Sequence, residues 1–311
     1  MKFAFVFPGQ GSQTVGMLDA WSDNEAAQDV VAQANAALGE DLGALIAQGP
    51  ADALNLTTNT QPAMLTASLA MLAAWRAAGG PEPVVMAGHS LGEYAALTAA
   101  GTLDLADAVR LVRIRADAMQ AAVPVGTGAM AAILGLEDDA VIAACQQAGQ
   151  AEVVEAVNFN APAQVVIAGH KAAVERAMEN AKAAGAKRAV LLPVSAPFHS
   201  SLLKPAAAVL SEALSKVHLR EPSIAVIHNV DVQTHQDPAS ICQALVDQAW
   251  HPVRWVQTIQ AMAHQGVTHV VECGPGKVLS GLVKRISPEL TGMSVTDPAS
   301  MQAAMDALKS A

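Results

Sequence analysis

Aromatic residues, charged residues and cysteines are all scarce in this chain of 311 residues. Aromatic side chains make up 3% of it and charged ones 15%, whereas hydrophobic residues make up 52%. A chain so poor in charge and so rich in apolar residues can bury a sizeable core, which argues against extended disorder. Without many aromatics, the apolar content comes mainly from alanine, leucine and valine, which favours helices packed on a sheet. The composition predicts an α/β fold.

The missing patterns narrow the functional classes. Three cysteines, Cys145, Cys242 and Cys273, stand far apart and predict neither a disulfide framework nor a metal site. The formal net charge of −10 argues against partners such as nucleic acid or anionic membranes. No apolar run approaches the about 18 residues of a membrane span, and the short run Phe3–Phe7 is too brief for a secretory signal. We therefore expect a cytoplasmic protein.

The order of short apolar segments predicts two domains. Phe3–Phe7 is typical of a buried strand, and Pro83–Ala87 is a second apolar run followed by a glycine-bounded turn and a helix. Between Ala129 and Val194 the order strand, helix, strand, strand, helix, strand matches the ferredoxin-like motif. We predict a large α/β-hydrolase-like domain with a parallel sheet from residues 1–125 and 196–311. A smaller ferredoxin-like α+β subdomain is inserted at residues 126–195.

A candidate nucleophile lies in the turn after the second strand. Gly88-His89-Ser90-Leu91-Gly92 matches G-x-S-x-G between a strand and a helix, which is the context that this motif requires. Glycines at both ends allow a tight turn that exposes Ser90, and the N-terminus of the next helix favours negative charge beside it. The alternative is that Ser90 only caps the helix, since serine is a preferred N-cap residue.

Acyl transfer through a serine needs a base, and histidine is the usual one near neutral pH. Of nine histidines, His199 is the best candidate. It follows Pro193 and Pro197, which fix the backbone where the inserted subdomain rejoins the large domain, and a cleft is expected at such a junction. The alternative is a loop histidine with structural partners only.

One arginine is predicted to point inward. If residues 103–120 form a helix, Arg115 shares the apolar face, whereas Arg110 and Arg113 lie on the opposite face. A buried guanidinium requires acceptors, and a substrate carboxylate would supply two. The alternatives are an internal salt bridge or a side chain that extends to solvent.

Taken together, these segments resemble the malonyl-CoA:acyl carrier protein transacylases of bacterial fatty acid synthesis, and the resemblance runs from Met1 to Ile286. Besides the serine turn, extended by Glu93, it rests on Arg115 with Met119-Gln120 and on three glycine-containing segments. Those segments are Phe7-Pro8-Gly9-Gln10-Gly11-Ser12-Gln13, Gly126-Thr127-Gly128-Ala129-Met130 and Gly274-Pro275-Gly276.

The resemblance implies a ping-pong reaction. Ser90 would attack the malonyl thioester of coenzyme A and hold a malonyl ester until the phosphopantetheine thiol of acyl carrier protein accepts it. It implies His199 as general base and acid and Arg115 as the partner of the malonyl carboxylate. Backbone N–H groups of Gln10 and Leu91 would form the oxyanion hole. No permanently bound cofactor is implied.

The resemblance also implies supporting residues. A backbone carbonyl, with Arg254 the preferred candidate, would orient His199. Phe198 would crowd an α-methyl branch and so favour malonyl over methylmalonyl. His89 and Asn160 are expected to lie near the substrate pocket.

Other functions remain open from sequence alone. The same fold could serve a polyketide synthase or a malonate decarboxylase. A serine thioesterase or lipase is disfavoured, because such hydrolases normally place an acid between the serine and the histidine and gain nothing from a carboxylate clamp. A non-catalytic binding module would require an inert Ser90. A monomer is expected, because no heptad pattern or long exposed apolar helix is apparent.

Overall fold

The computed structural model describes residues 1–309, which form two β-sheets with helices packed around them. The strands of the larger sheet are β1 (Phe3–Phe7), β2 (Val85–Gly88), β7 (Val226–Ile227), β8 (His269–Cys273) and β9 (Thr291–Val295). The strands of the smaller sheet are β3 (Gly128–Leu134), β4 (Val154–Ala161), β5 (Gln164–His170) and β6 (Arg188–Leu191).

The helices cover the larger sheet and one side of the smaller one. In chain order they are α1 (Glu25–Leu38), α2 (Leu42–Gln48), α3 (Ala51–Leu54), α4 (Thr57–Ala77), α5 (Gly92–Ala99), α6 (Leu105–Ala121), α7 (Asp138–Gly149), α8 (Lys171–Ala183), α9 (Lys204–Leu214), α10 (Pro238–Gln248), α11 (Trp255–His264), α12 (Val278–Ile286) and α13 (Pro298–Lys309).

The larger sheet is parallel and brings two loops of the site together. Its strand order is β7-β2-β1-β8-β9, and Phe7 at the end of β1 pairs with Gly88 at the end of β2. Every residue of β1 and β2 is buried, as expected for strands covered on both faces. Because these strands end at the same edge, the loop after β1 lies beside the turn that carries Ser90.

The smaller sheet is antiparallel, with the order β4-β5-β3-β6, and its helices are α7 and α8. The predicted parallel core with a ferredoxin-like unit is confirmed. The last strand of that unit ends at Leu191 rather than at Val194, because Pro193 has no amide hydrogen to extend the ladder. The boundaries at residues 126 and 195 stay a prediction.

Backbone hydrogen bonds join the smaller sheet to the segment between α10 and α11. The amide of Val253, just before α11, donates to the carbonyl of Val157 on β4 (2.8 Å), and the amide of Phe159 donates back to Val253 (3.0 Å). The smaller sheet is thereby held against the segment between α10 and α11, which fixes the cleft between the two parts.

Neither a bilayer span nor a metal centre is found in the described part of the chain. Within residues 1–309, no helix combines the length and apolar composition that crossing a bilayer requires. Over the same residues, no group of three or more His, Cys, Asp or Glu side chains is placed to hold a metal ion.

Candidate active site

Ser90 lies in a sharp turn that only its glycine neighbours permit. Its φ of 53° is in the left-handed region, which residues with a side chain rarely adopt. A Cβ on Gly88 would lie 1.9 Å from the carbonyl carbon of Gly92, and one on Gly92 would lie 2.2 Å from the carbonyl oxygen of Phe7. The strand, turn and helix therefore pack too closely for any larger residue at these two positions, and Ser90 is held in the wall of the cavity.

His199 is placed to accept the proton of Ser90. Its Nε2 is 2.7 Å from Ser90 Oγ, and its Nδ1 is 2.8 Å from the backbone oxygen of Gln248. A carbonyl oxygen only accepts, so Nδ1 carries the hydrogen and Nε2 is left as the acceptor. The imidazole is 3% exposed. This geometry favours a catalytic histidine over a structural one.

The prediction that the backbone carbonyl of Arg254 orients His199 was wrong. The Arg254 oxygen accepts hydrogen bonds from the amide and hydroxyl of Thr258, both at 3.0 Å, at the start of α11. Gln248 instead ends α10, and the last carbonyls of a helix have no partner within it. The backbone oxygen of Gln248 is therefore available to His199. The partial negative charge at the C-terminus of α10 also favours a hydrogen-bond donor beside this oxygen.

The environment of His199 keeps it neutral. Burial, and then the positive charge of Arg115, lower the pKa of His199 from 6.5 to about 3. The neutral form of His199, which is the base, therefore persists as the pH falls through 6.5 and is lost only near the lowered pKa.

We expect the imidazole resonances of His199 to show no titration between about pH 8 and 5, measured by nitrogen NMR and assigned with His199→Gln. A midpoint near 6.5 would contradict the buried geometry.

Arg115 points inward, as the helical periodicity of α6 predicted. It is 2% exposed, and its Nη1 donates to Gln61 Oε1 at 2.6 Å. Its Nη2 donates to Gln248 Oε1 and to Ser90 Oγ, both at 3.0 Å. The guanidinium carbon also lies 5.6 Å from the ring centroid of Tyr94. The guanidinium is thus fixed directly beside the nucleophile.

The internal salt bridge considered for Arg115 is absent. No carboxylate within residues 1–309 pairs with it, and its Nε has no acceptor among them. Burial lowers the pKa of Arg115 from its usual value, because desolvation disfavours the cation. A buried cation held only by neutral acceptors can gain a strong partner from a substrate anion.

The backbone amides of Gln10 and Leu91 border the same cavity. Gln10 follows β1, and its side chain accepts a hydrogen bond from Thr57 at 2.8 Å. Leu91 directly follows the nucleophile. Neither amide donates to an acceptor in the described part of the chain. Both are available to a developing oxyanion, which supports the predicted oxyanion hole.

The cavity of about 190 Å³ lies between the two sheets and holds nearly all the predicted residues. Phe198 lines it, and His89 Nε2 lies 2.8 Å from Asn160 Oδ1 at its wall. Burial lowers the pKa of His89, so this imidazole is neutral as well. The volume is smaller than the roughly 300 to 1,000 Å³ of pockets for drug-sized ligands. It suits a short acyl group.

The chain is similar in sequence and fold to known acyltransferases. The family model described as "Acyl transferase domain" matches residues 4–303. The chain belongs to the acyl transferase domain family. It is 55% identical to the malonyl CoA-acyl carrier protein transacylase of Escherichia coli (strain K12), over 98% of this chain and 99% of that protein.

Two solved structures of this acyl transferase family agree closely with the fold. An acyl-carrier-protein S-malonyltransferase from Burkholderia pseudomallei 1710b is 62% identical, covers 98% of this chain and 100% of its own, and superposes with a TM-score of 0.97. A malonyl-transacylase solved in complex with its type II PKS acyl-carrier protein is 48% identical, with 99% and 100% coverage and a TM-score of 0.97.

In this acyl transferase domain the structure adds polar residues that the sequence analysis did not assign to the site. All are at most 2% exposed: Gln61, Glu93, Asn229 and Gln248. The available signal was a polar residue within an apolar segment, which must find a buried partner. Gln61 on α4 is the plainest case, because most of that helix is buried. Which partners these residues meet depends on the tertiary packing.

Proposed function

We propose that this protein transfers a malonyl group from malonyl-CoA to the phosphopantetheine thiol of an acyl carrier protein, through a malonyl ester on Ser90. The observation that carries the proposal is Arg115, a buried guanidinium that has no carboxylate partner within residues 1–309 and lies 3.0 Å from Ser90 Oγ. A short acyl group with a free carboxylate can pair with this guanidinium while its carbonyl carbon lies within reach of Ser90 Oγ.

In the first half-reaction His199 Nε2 takes the proton of Ser90 as Oγ attacks the thioester carbonyl. The amides of Gln10 and Leu91 stabilise the oxyanion. The C–S bond then breaks, and the sulfur of coenzyme A takes the proton from His199. Pairing of Arg115 with the malonyl carboxylate offsets the positive charge that helps to lower the pKa of His199, so substrate binding makes the base stronger.

The second half-reaction runs the same steps in reverse with a different thiol. The phosphopantetheine thiol gives its proton to His199 and attacks the ester carbonyl. The C–O bond to Ser90 breaks, and Oγ recovers the proton. No resident cofactor is needed, because the acyl group arrives on coenzyme A and leaves on the phosphopantetheine of the partner protein.

A serine hydrolase is the weaker reading. In the serine, histidine and acid arrangement a carboxylate orients the histidine, whereas here a backbone carbonyl, 2.8 Å from His199 Nδ1, occupies that place. Hydrolysis of a thioester also has no use for a buried cation at the acyl end. Both observations support transfer of a carboxylated acyl group.

Phe198 is proposed to select against a branched acyl chain. Its ring lines the cavity one residue before the base, beside Met130 and Val166. We expect Phe198→Ala to raise kcat/KM for methylmalonyl-CoA relative to malonyl-CoA by about tenfold, since one methyl group in a fitted pocket is worth about 10- to 200-fold. Competition between the two thioesters measures the ratio. An unchanged ratio would place the selecting contact elsewhere.

The carrier protein has two candidates. The curated relatives are named for transfer to an acyl carrier protein, and the sequence resemblance implies a carrier of fatty acid synthesis, whereas the relative solved with a type II PKS carrier favours a polyketide carrier as the second candidate. Transfer to each carrier, compared by kcat/KM, distinguishes them.

We propose that the protein acts as a monomer in the cytoplasm. Sedimentation tests the first of these statements.

The proposal is tested by intact mass. The protein is incubated with malonyl-CoA alone and then with an acyl carrier protein that bears phosphopantetheine. The expected result is a malonyl adduct on the protein that disappears as the carrier gains the same mass. Release of free malonate without an adduct or loaded carrier would establish a hydrolase instead.

A further inference from the structure

Glu93 is a buried carboxylate beneath the nucleophile that the proposed reaction does not use. It lies in the first turn of α5 and is 0% exposed. Its Oε1 accepts a hydrogen bond from His228 Nδ1 at 2.7 Å. Its Oε2 accepts from the amide of Asn229 at 2.9 Å and from Gln248 Nε2 at 3.0 Å. A buried carboxylate is costly unless its partners satisfy it, and here all three partners are buried too.

The hydrogen bonds of Gln248 allow only one orientation of its side-chain amide. Nε2 faces three acceptors: Glu93 Oε2, the backbone oxygen of Ser90 at 2.8 Å and, at 3.5 Å, Asn229 Oδ1. Oε1 therefore faces the donor Nη2 of Arg115 at 3.0 Å. The reversed amide would place an oxygen against these three oxygens and an NH₂ group against a guanidinium. Glu93, together with the backbone oxygen of Ser90, thus determines which end of Gln248 meets Arg115.

This arrangement holds Arg115 without neutralising it. The carboxylate acts one amide away from the guanidinium, and its charge polarises the Gln248 amide so that Oε1 is a better acceptor. Gln61 holds the other side through Nη1. A carboxylate in direct contact would compete with a substrate carboxylate, whereas a neutral oxygen fixes the cation and leaves its charge to the substrate.

A second branch from Glu93 fixes the turn itself. Asn229, whose amide donates to Glu93, accepts from the amide of Ser90 at 2.8 Å and donates through Nδ2 to the carbonyl of Gly88 at 2.7 Å. One carboxylate therefore organises both the backbone of the nucleophile and the acceptor of the clamp.

We propose that Glu93 is a positioning residue for selection of a carboxylated acyl group: by orienting the Gln248 amide it places the guanidinium of Arg115. The inference rests on the proposed function, in which Arg115 binds the malonyl carboxylate. Loss of Glu93 must then lower the preference for malonyl-CoA over acetyl-CoA, which has no carboxylate, and not merely the overall rate.

Two substitutions separate the hydrogen bonds of Glu93 from its bulk. Glu93→Gln can keep an oxygen towards Asn229 and Gln248 while its NH₂ donates to the other tautomer of His228. Glu93→Met removes both acceptors at similar size. With kcat/KM for acylation by each thioester as the readout, we expect the malonyl-to-acetyl ratio to stay within about twofold in Glu93→Gln. In Glu93→Met it should fall at least about tenfold, as expected when a buried donor loses its acceptor.

The chain of contacts from Glu93 through the Gln248 amide to Arg115 predicts that substitutions along it have non-additive effects on the malonyl-to-acetyl ratio. Gln248→Met keeps the backbone carbonyl that orients His199 but removes the amide, so it should lower the ratio as Glu93→Met does. In that background Glu93→Met should change the ratio less than about twofold, because residues acting through one contact are coupled. A malonyl-to-acetyl ratio preserved in Gln248→Met would overturn the inference, and this result can be obtained even if the Glu93 variants do not fold. Independent effects of the Glu93 and Gln248 substitutions on the ratio would also overturn it.

Two control variants separate failure of the proposed role of Glu93 from failure of the proposed role of Arg115. Glu272→Met removes another carboxylate that is 0% exposed but lies on β8, where it accepts from the backbone amide of Ser280, in the first turn of α12, at 2.8 Å. It should leave the ratio unchanged. Arg115→Met should collapse the ratio. If it does not, the proposed clamp fails. If it does while Glu93→Met slows both thioesters equally, only the role of Glu93 fails.

Discussion

Replacing Ser90 by alanine is expected to abolish the covalent malonyl adduct and to lower malonyl transfer by about 10⁴-fold. The hydroxyl is the only group of the site placed to form the ester, and loss of a serine nucleophile leaves only the catalysis due to binding and the oxyanion hole. Intact mass after incubation with malonyl-CoA measures the adduct, and transfer to the carrier measures the rate.

Ser211→Ala provides the matched control, because that serine is exposed on α9 and should change neither reading. The substitution at Ser90 removes one small polar atom at the cleft, so thermal unfolding should show a folded protein. An adduct of the same mass on Ser90→Ala would place the nucleophile elsewhere, and the proposed ping-pong reaction would have to be abandoned.

Replacing Arg115 by methionine is expected to lower acylation by malonyl-CoA by about 10² to 10³-fold while acetyl-CoA loses far less. The malonyl carboxylate would then be buried without a cation, and an unpaired buried charge costs about 3 to 5 kcal/mol. The remaining groups around it would be the neutral amides of Gln61 and Gln248, which supply no countercharge. Acylation rates for the two thioesters measure the difference.

The control for charge on the same helix is Arg113→Met. Arg113 lies on the opposite face of α6, pairs with Glu40 at 2.8 Å and does not line the cavity. Such a partly exposed pair contributes little, so both rates should stay within about twofold of the native values. Equal losses for malonyl-CoA and acetyl-CoA in Arg115→Met would mean that the arginine supports the fold or Ser90 rather than the carboxylate.

Local sequence was sufficient for the parts of the site that depend on steric rules and periodicity. The glycines around Ser90 predicted a tight turn because no side chain fits between β2, α5 and the end of β1. The inward face of α6 predicted a buried Arg115 because a helix repeats every 3.6 residues. The prolines before His199 marked the junction of the two sheets. All of these properties are carried by residues close together in the chain.

The errors and omissions arose where partners are far apart in sequence. Arg254 was predicted to orient His199, but the orienting carbonyl belongs to Gln248, because that is where α10 ends and leaves an oxygen without a helical partner. Glu93 was visible in the serine motif, yet its contacts with residues 228, 229 and 248 cross more than 130 positions of the chain. No periodicity encodes such contacts.

The two-sheet α/β architecture, the serine turn and the inward arginine could be predicted from the amino-acid sequence, because hydrophobic pattern, glycine sterics and helical repeat act over a few residues. Tertiary packing was needed to show that Arg115 meets neutral amides instead of a carboxylate, and that the carbonyl of Gln248 instead of that of Arg254 orients His199. Those outcomes depend on which buried polar groups come within about 3 Å of one another, a condition set by the packing of the whole chain.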